Sequence, residues 1–478
     1  MIDRESDSAE HHRSVADPEI LQKTFEGGSE NVQARPGGSY YATAPLSRVV
    51  AWAMWDCGQT GLSAITATFV FSVYLTHSVG AGGALGASPL SWLGRTAAAA
   101  GVAVAVLAPL VGVWVESPHR RRVVLALLTG TSVALTCSMA LIRDQPGYFF
   151  AGLALLAATA ACGDLASVPY NAMLRQLSTP QTAGRISGFG WAAGYLGSVV
   201  LLMLVYGGFV VGDGDHRGFL HLPVADGANI RAAMLLAAVW MASMALPLLL
   251  LAHRLPDAGA DAHPTTTLLG GYRKLWSEIS SEWRRDRNLV YFLVASALFR
   301  DGLAATFGVG AVLGVNVYHL AEGDVLIFGV AALVVAALGA VVGGFADHRI
   351  GSKPVIVFSL TAILAAGLAM LVLSGPLAFW VCGLLLCLFI GPSQSSARTL
   401  LLRMAQPGKE GVAFGLYTMT GRAVSFMAPW LFSVFVDVFK ADRAGLGGII
   451  VVLLAGLLAM LFVRVPAPSN SERRVADG

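Results

Sequence analysis

Charge is scarce in this 478-residue chain. Asp, Glu, Lys and Arg make up 13% of it, about half the share of an ordinary soluble domain. The net balance is only +3, too small an excess to point to nucleic acid as a partner. Cysteine is scarce too. Cys57, Cys137, Cys162, Cys382 and Cys387 lie inside apolar runs, none at metal-ligand spacing with histidine. They read as small buried hydrophobes, and no metal site is expected. No GxxxxGK[ST] loop occurs, which argues against ATP hydrolysis by this chain, and no cofactor is expected. The first 45 residues hold no apolar core of the secretory-leader kind. They are polar and predict a cytoplasmic tail rather than a cleaved signal.

What the chain has instead is apolar length. Hydrophobic residues are 55% of it, gathered in runs long enough to cross a bilayer core of about 30 Å. Backbone in lipid must satisfy its own hydrogen bonds, so these runs read as helices. Six spans fall near Ser47–Thr76, Trp92–Val115, Val123–Ile142, Tyr148–Leu174, Ser187–Val211 and Ile230–Leu251. Six more fall near Leu289–Val317, Val325–Ala346, Lys353–Leu373, Leu377–Leu402, Gly411–Val438 and Leu446–Val463. The expected class is an all-α membrane protein of twelve transmembrane helices in two pseudo-symmetric six-helix bundles. The expected parts are a tail at 1–45, a bundle at 46–252, a linker at 253–287, a bundle at 288–464 and a tail at 465–478. Within the linker, Tyr272, Trp276, Ile279 and Trp283 recur at helical spacing among charges. That pattern predicts an amphipathic helix on the inner membrane face, tethering the halves.

Lysine and arginine set the expected orientation. One set of loops, including the central linker, carries fifteen of them; the opposite set carries Arg143, Arg217, Lys440 and Arg443, or six in all with the boundary residues Arg95 and Arg231. The positive-inside rule then places both termini in the cytoplasm. The two halves also echo each other. Sliding Tyr170–Ser198 by 227 residues onto Ala397–Ser425 superposes Leu174 on Leu401, Pro180 on Pro407, Gly184 on Gly411, Gly188 on Gly415, Gly194 on Gly421 and Ser198 on Ser425. Many secondary transporters are built from such repeats.

Ionisable residues inside spans are expensive and are functional candidates by default. Here they are Asp56, Asp164, Arg300, Asp301, Arg398 and Arg422. Arg300 and Asp301 are consecutive, so they point about 100° apart on a helix and cannot simply neutralise each other. In a central site, an acid such as Asp56 or Asp301 would bind a cationic group or carry a proton. Arg398 or Arg422 would hold a carboxylate or phosphate in bidentate fashion, with Gln394, Ser395, Asn171 and Tyr195 adding hydrogen-bonding groups. The plainer alternative is that these charges only pair to pack helices.

A second repeated signal closes the second and eighth spans. Gly112 is followed by Glu116, Arg120, Arg121 and Arg122; Gly343 is followed by Asp347, Arg349, Gly351 and Lys353. A small residue lets helices approach, and an acid beside basic residues ties helix ends together. These stretches resemble the gating motif of the major facilitator superfamily, G-x-x-x-D-x-x-G-R-[RK], with Glu116 for its acid and His119 for its second glycine. More narrowly, the chain resembles the branch that includes the yeast vacuolar amino-acid effluxer and its bacterial relatives. The matching stretches are WDCGQTGLSAITATFVFSVYL, YNAMLRQL with GRISGFGWAAGYLGS, FLVASALFRDGL, IFGVAALVVAALGAVVGGFADHRIGSK, GPSQSSARTLLLRM and FGLYTMTGRAVSFMAP.

The resemblance implies a central cavity lined by the first, fourth, seventh and tenth helices. It would open alternately to each side, with the two glycine–acid–basic loops closing the cytoplasmic face. The expected function is a secondary transporter of a small polar metabolite, an amino acid first among candidates, driven by protons or by the substrate's own gradient. The expected setting is a bacterial-type inner membrane, with the protein a monomer, the lipid bilayer around it and no nucleic-acid partner. Rival readings are an exporter of amphipathic compounds and a non-transporting sensor or scaffold. An enzyme is not expected, because the outer loops offer only Asp213, His216 and Arg217.

Overall fold

The computed structural model describes residues 44–81, 86–251 and 287–465. The expected tails and the linker with its amphipathic helix lie outside the described residues, apart from a residue or two at their edges.

Among the described residues, twelve apolar helices are long enough to cross a membrane. In chain order they are α1 (Leu46–Val79), α2 (Pro89–Trp114), α3 (Pro118–Met139), α4 (Pro146–Leu177), α5 (Ala183–Val210) and α6 (Ala225–Leu251). Then follow α7 (Asn288–Asn316), α8 (Glu322–Ile350), α9 (Ser352–Val372), α10 (Pro376–Met404), α11 (Glu410–Phe439) and α12 (Ala444–Phe462). Between α5 and α6 a short hairpin pairs β1 (His216–Arg217) with β2 (Leu222–Pro223).

The helices form two bundles that repeat one packing scheme. α1 lies on α6 as α7 lies on α12; α2 lies on α4 as α8 lies on α10; α3 lies on α4 and α6 as α9 lies on α10 and α12. The halves meet along two long seams, α2 against α11 and α5 against α8. Glycine makes both seams possible. A side-chain carbon at Gly112 would fall 2.6 Å from the Gly411 carbonyl, and one at Gly344 would fall 2.7 Å from that of Gly184. Backbones this close leave no room for any larger residue.

Three helices depart from the expected spans. α3 starts at Pro118, behind an extended Ser117, because proline's fixed φ suits a first helical turn. Arg120, Arg121 and Arg122 therefore sit on a helix rather than in a loop. α1 loosens into π-helical stretches at Ala64–Phe69 and Leu75–Val79. α11, expected as one span, is two: it ends at Val424 and restarts at Met427.

Candidate functional site

Two acid–arginine pairs join the halves within the spans, Asp164–Arg422 near mid-helix and Asp56–Arg398 toward the end of α10 and the start of α1. Arg398 of α10 donates from Nη2 to Asp56 Oδ2 of α1 at 3.2 Å. Both residues are buried. Thr60, one turn along α1, donates to the other oxygen of Asp56 at 3.4 Å. The Arg398 guanidinium lies among three rings, with centroids of Trp52, Tyr170 and Trp191 at 5.3, 5.5 and 5.2 Å. Those rings are themselves fixed. Tyr170 is stacked between Trp52 (4.6 Å) and Trp55 (4.3 Å), and Trp52 Nε1 donates to the Tyr170 carbonyl at 3.1 Å. Flat aromatic faces attract a cation, so α1, α4, α5 and α10 all hold one guanidinium. Among the described residues its Nη1 has no hydrogen-bond partner, nor do Trp191 Nε1, Gln59 Oε1 and Asn171 Oδ1.

The second pair is Asp164 of α4 with Arg422 of α11. Here the side chains are 26% and 40% exposed, so this pair is less tightly enclosed than the first.

A denser network ties the arginine-rich end. Glu410, at the start of α11, meets Arg175 Nε at 2.6 Å and Arg121 Nη2 at 3.4 Å. Arg175 also donates to the carbonyls of Leu402 and Ala405 at 2.5 and 2.8 Å. Arg121 donates back to Val115 and Ala172 at 3.0 and 3.1 Å. On the other seam, Arg403 meets Asp347 at 2.9 Å and donates to Ser352 (2.6 Å) and to the Pro180 carbonyl (3.1 Å). Asp347 is buried against Gly184 in the first turn of α5. Ser187 donates to the Ser395 carbonyl at 2.8 Å. Each half thus supplies arginines that satisfy orphan carbonyls at the other half's helix ends.

The expected site residues separate into groups. Asp56 with Arg398, and Asp164 with Arg422, form pairs between halves. Among the described residues, Arg300 and Asp301 pair with no charge: Arg300 donates to the Tyr417 carbonyl at 3.1 Å and lies over its ring, and Asp301 accepts from the Ala428 N–H at 2.7 Å. Tyr195 packs beside Trp191 in the α5–α8 seam, among Ala336, Ala337 and Ala340. Asn171 and Gln394 are partly buried on α4 and α10. Of the two motif copies, Gly112 does cross between halves, and Arg121 and Asp347 join the network. Glu116 accepts at its carbonyl from Arg121 at 3.4 Å, and Arg120 lies on the first turn of α3. Gly343 instead packs on Pro392 within its own half, and Gly344 makes the cross-half approach. Gly351 takes φ +89° at a turn, where glycine meets no Cβ penalty. Arg349 is exposed, and Lys353 caps the end of α12 through the Leu461 and Val463 carbonyls at 2.9 and 2.6 Å.

The profile of a family described as vacuole effluxer Atg22 like matches residues 95–471. An MFS-type transporter of Bacillus subtilis (strain 168), YxiO, is 20% identical over 89% of this chain and 97% of its own length. The chain belongs to the Atg22-like branch of the major facilitator transporters. Autophagy-related protein 22 of Yarrowia lipolytica is 23% identical over 53% of this chain; the chain spans 46% of that relative's length. Among solved structures, the proton:xylose symporter XylE matches with a TM-score of 0.67 at 13% identity, over 88% of this chain and 96% of its own. FucP in the outward conformation matches at 0.64 and 13%, over 87% and 99%. At such identity these two speak for the fold alone.

For this Atg22-like chain, residue patterns alone missed the aromatic box of Trp52, Trp55 and Trp191, and missed Glu410. Nothing local marks an indole that faces an arginine from a distant helix. Glu410 did leave a signal: it is an acid beside Lys409, opening a helix in a loop set otherwise chosen for positive charge.

Proposed function

We propose that this protein is a secondary active transporter of a small polar metabolite, an amino acid first among candidates, working by alternating access. The observation that carries the reading is the pair of acid–arginine bridges, Asp56–Arg398 and Asp164–Arg422, that join the two halves inside the apolar spans. A charge pair between rigid halves is costly to bury and weakens when the halves part. A substrate bearing both charges can replace one partner of each pair, so substrate binding and rearrangement of the halves become one event. Protons are the proposed coupling ion, with the partly exposed Asp164 as the group that takes them up. The arginine-rich end is assigned to the cytoplasm by the positive-inside rule. The Glu410, Arg121 and Arg175 cluster, with Asp347 and Arg403, then serves as the cytoplasmic gate. An inner membrane of bacterial type and a monomeric state complete the proposal. A second reading, export of amphipathic compounds, draws on Phe426 in the break of α11 and Trp430 just after it, both exposed.

The test is ligand-induced thermal stabilisation of the purified protein against a panel of amino acids and small metabolites. Arg422→Ala and Arg398→Ala are run beside the parent. A ligand whose stabilisation disappears in Arg422→Ala supports the reading. A ligand bound equally by both variants overturns the site. Stabilisation by amphipathic cations alone moves the assignment to the second reading.

A further inference from the structure

α11 is broken where its repeat mate is whole. α5 runs as one α-helix from Ala183 to Val205. Its mate stops at Val424 and restarts at Met427, with Ser425 matching Ser198 at the 227-residue offset. The helices packed against them differ at the same level. A carbon added at Gly58 of α1 would meet Met241 and Met244 of α6, and one added at Gly302 of α7 would meet Leu453 of α12. With those glycines in register, Cys57 is the mate of Asp301. In the first half, bare Gly197 packs against Cys57, and α5 stays straight. In the second half Gly197 becomes Val424 and Cys57 becomes Asp301. Close packing is replaced by a buried carboxylate.

That carboxylate is 5% exposed, and its Oδ2 accepts the backbone N–H of Ala428 at 2.7 Å. Ala428 is the second residue of the segment Met427–Phe439. The first N–H groups of a helix have no partner inside it, and its N-terminus favours negative charge. Next to Asp301, Arg300 holds the preceding segment by the Tyr417 carbonyl and ring. Consecutive residues of α7 therefore grip α11 on both sides of its break. Arg422 stands one turn before that break, its carbonyl accepting from the Ser425 hydroxyl at 3.0 Å.

We infer that Asp301 is a positioning residue. Pro429, standing where the repeat mate has Leu202, cannot donate to the Ser425 carbonyl and opens the break in α11; Asp301 holds the restart after it and so the direction in which Arg422 reaches Asp164, and it touches neither substrate nor proton. This rests on the proposed transport role of the Asp164–Arg422 pair.

The experiment measures amide hydrogen exchange at Ala428 in the full chain in detergent, for the parent, Asp301→Asn, Asp301→Ala and Asp301→Cys. Asparagine keeps an acceptor oxygen, so Asp301→Asn should retain parental protection and any ligand-induced stabilisation found with the metabolite panel. Asp301→Ala should exchange about tenfold faster at Ala428 and lose that stabilisation, the cost of one missing acceptor. Asp301→Cys, which fills more of the space than alanine but offers only a weak acceptor, should behave like Asp301→Ala and serves if that variant fails to fold. Parental protection in both Asp301→Ala and Asp301→Cys overturns the inference. So does an Asp301→Asn variant that keeps Ala428 protected yet loses ligand response. A panel without any ligand fails the transport reading, while exchange at Ala428 still decides the role of Asp301.

Discussion

Arg398 is held by one carboxylate, at 3.2 Å, and by the faces of three aromatic rings. Removing Asp56 leaves a buried guanidinium without its counter-charge, a loss of about 3–5 kcal/mol in comparable sites. Asp56→Ala should therefore lower the thermal midpoint strongly, whereas Asp56→Leu combined with Arg398→Met should recover most of the loss and still fail to transport. A double variant as unstable as the single one would show that the charges are not a pair. At this scale the sequence was readable where chemistry is expensive. Asp56, Asp164, Arg398 and Arg422 stood out because ionisable groups in apolar spans need partners. Their partners could not be read, since Asp56 and Arg398 are 342 residues apart. Glu410 escaped notice because a charge near a helix end is cheap, and its value comes only from Arg121 and Arg175 on two other helices.

Between elements, the seams of α2 with α11 and α5 with α8 depend on absent side chains. Gly112→Leu would drive a branched side chain into the Gly411 carbonyl. The expected outcome is a folded protein whose arginine-rich ends stay apart, seen as a longer spin-label distance between α2 and α11; an unchanged distance would contradict it. Glu410→Gln weakens the same closure by electrostatics alone. If it removes about 1.4 kcal/mol from the closed state, the open population rises about tenfold, and the same distance distribution reports it. The 227-residue echo exposed these glycines because a close helix crossing tolerates so few residues. The separate glycine–acid–basic motif pointed to Gly343 rather than Gly344, since neighbouring glycines on a helix face different helices and sequence does not say which face is turned outward. The break in α11 did leave a signal that the span assignment passed over: Pro429 cannot donate to the carbonyl of Ser425, where the first segment stops. What sequence could not show is the acid that holds the restart, because it lies on α7.

For the whole molecule, length and hydropathy were enough to find twelve spans, and the internal repeat was enough to group them by sixes. The pseudo-symmetry then fails at one level, where α7 grips α11 differently from the way α1 holds α5. Each half moving as a unit is favoured by ties such as Lys353 to the end of α12. The aromatic box gives that motion a signal of its own. Trp52, Trp55 and Trp191 are three of ten tryptophans, and Trp52 and Trp191 face a guanidinium carried by the opposite half. Parting α1 from α10 would withdraw that cation and admit water to the indoles. The unlabelled protein should thus change its own fluorescence, in both intensity and wavelength, as it changes sides. Trp52→Phe with Trp191→Phe should silence the change, which makes the protein an optical reporter of its own cycle.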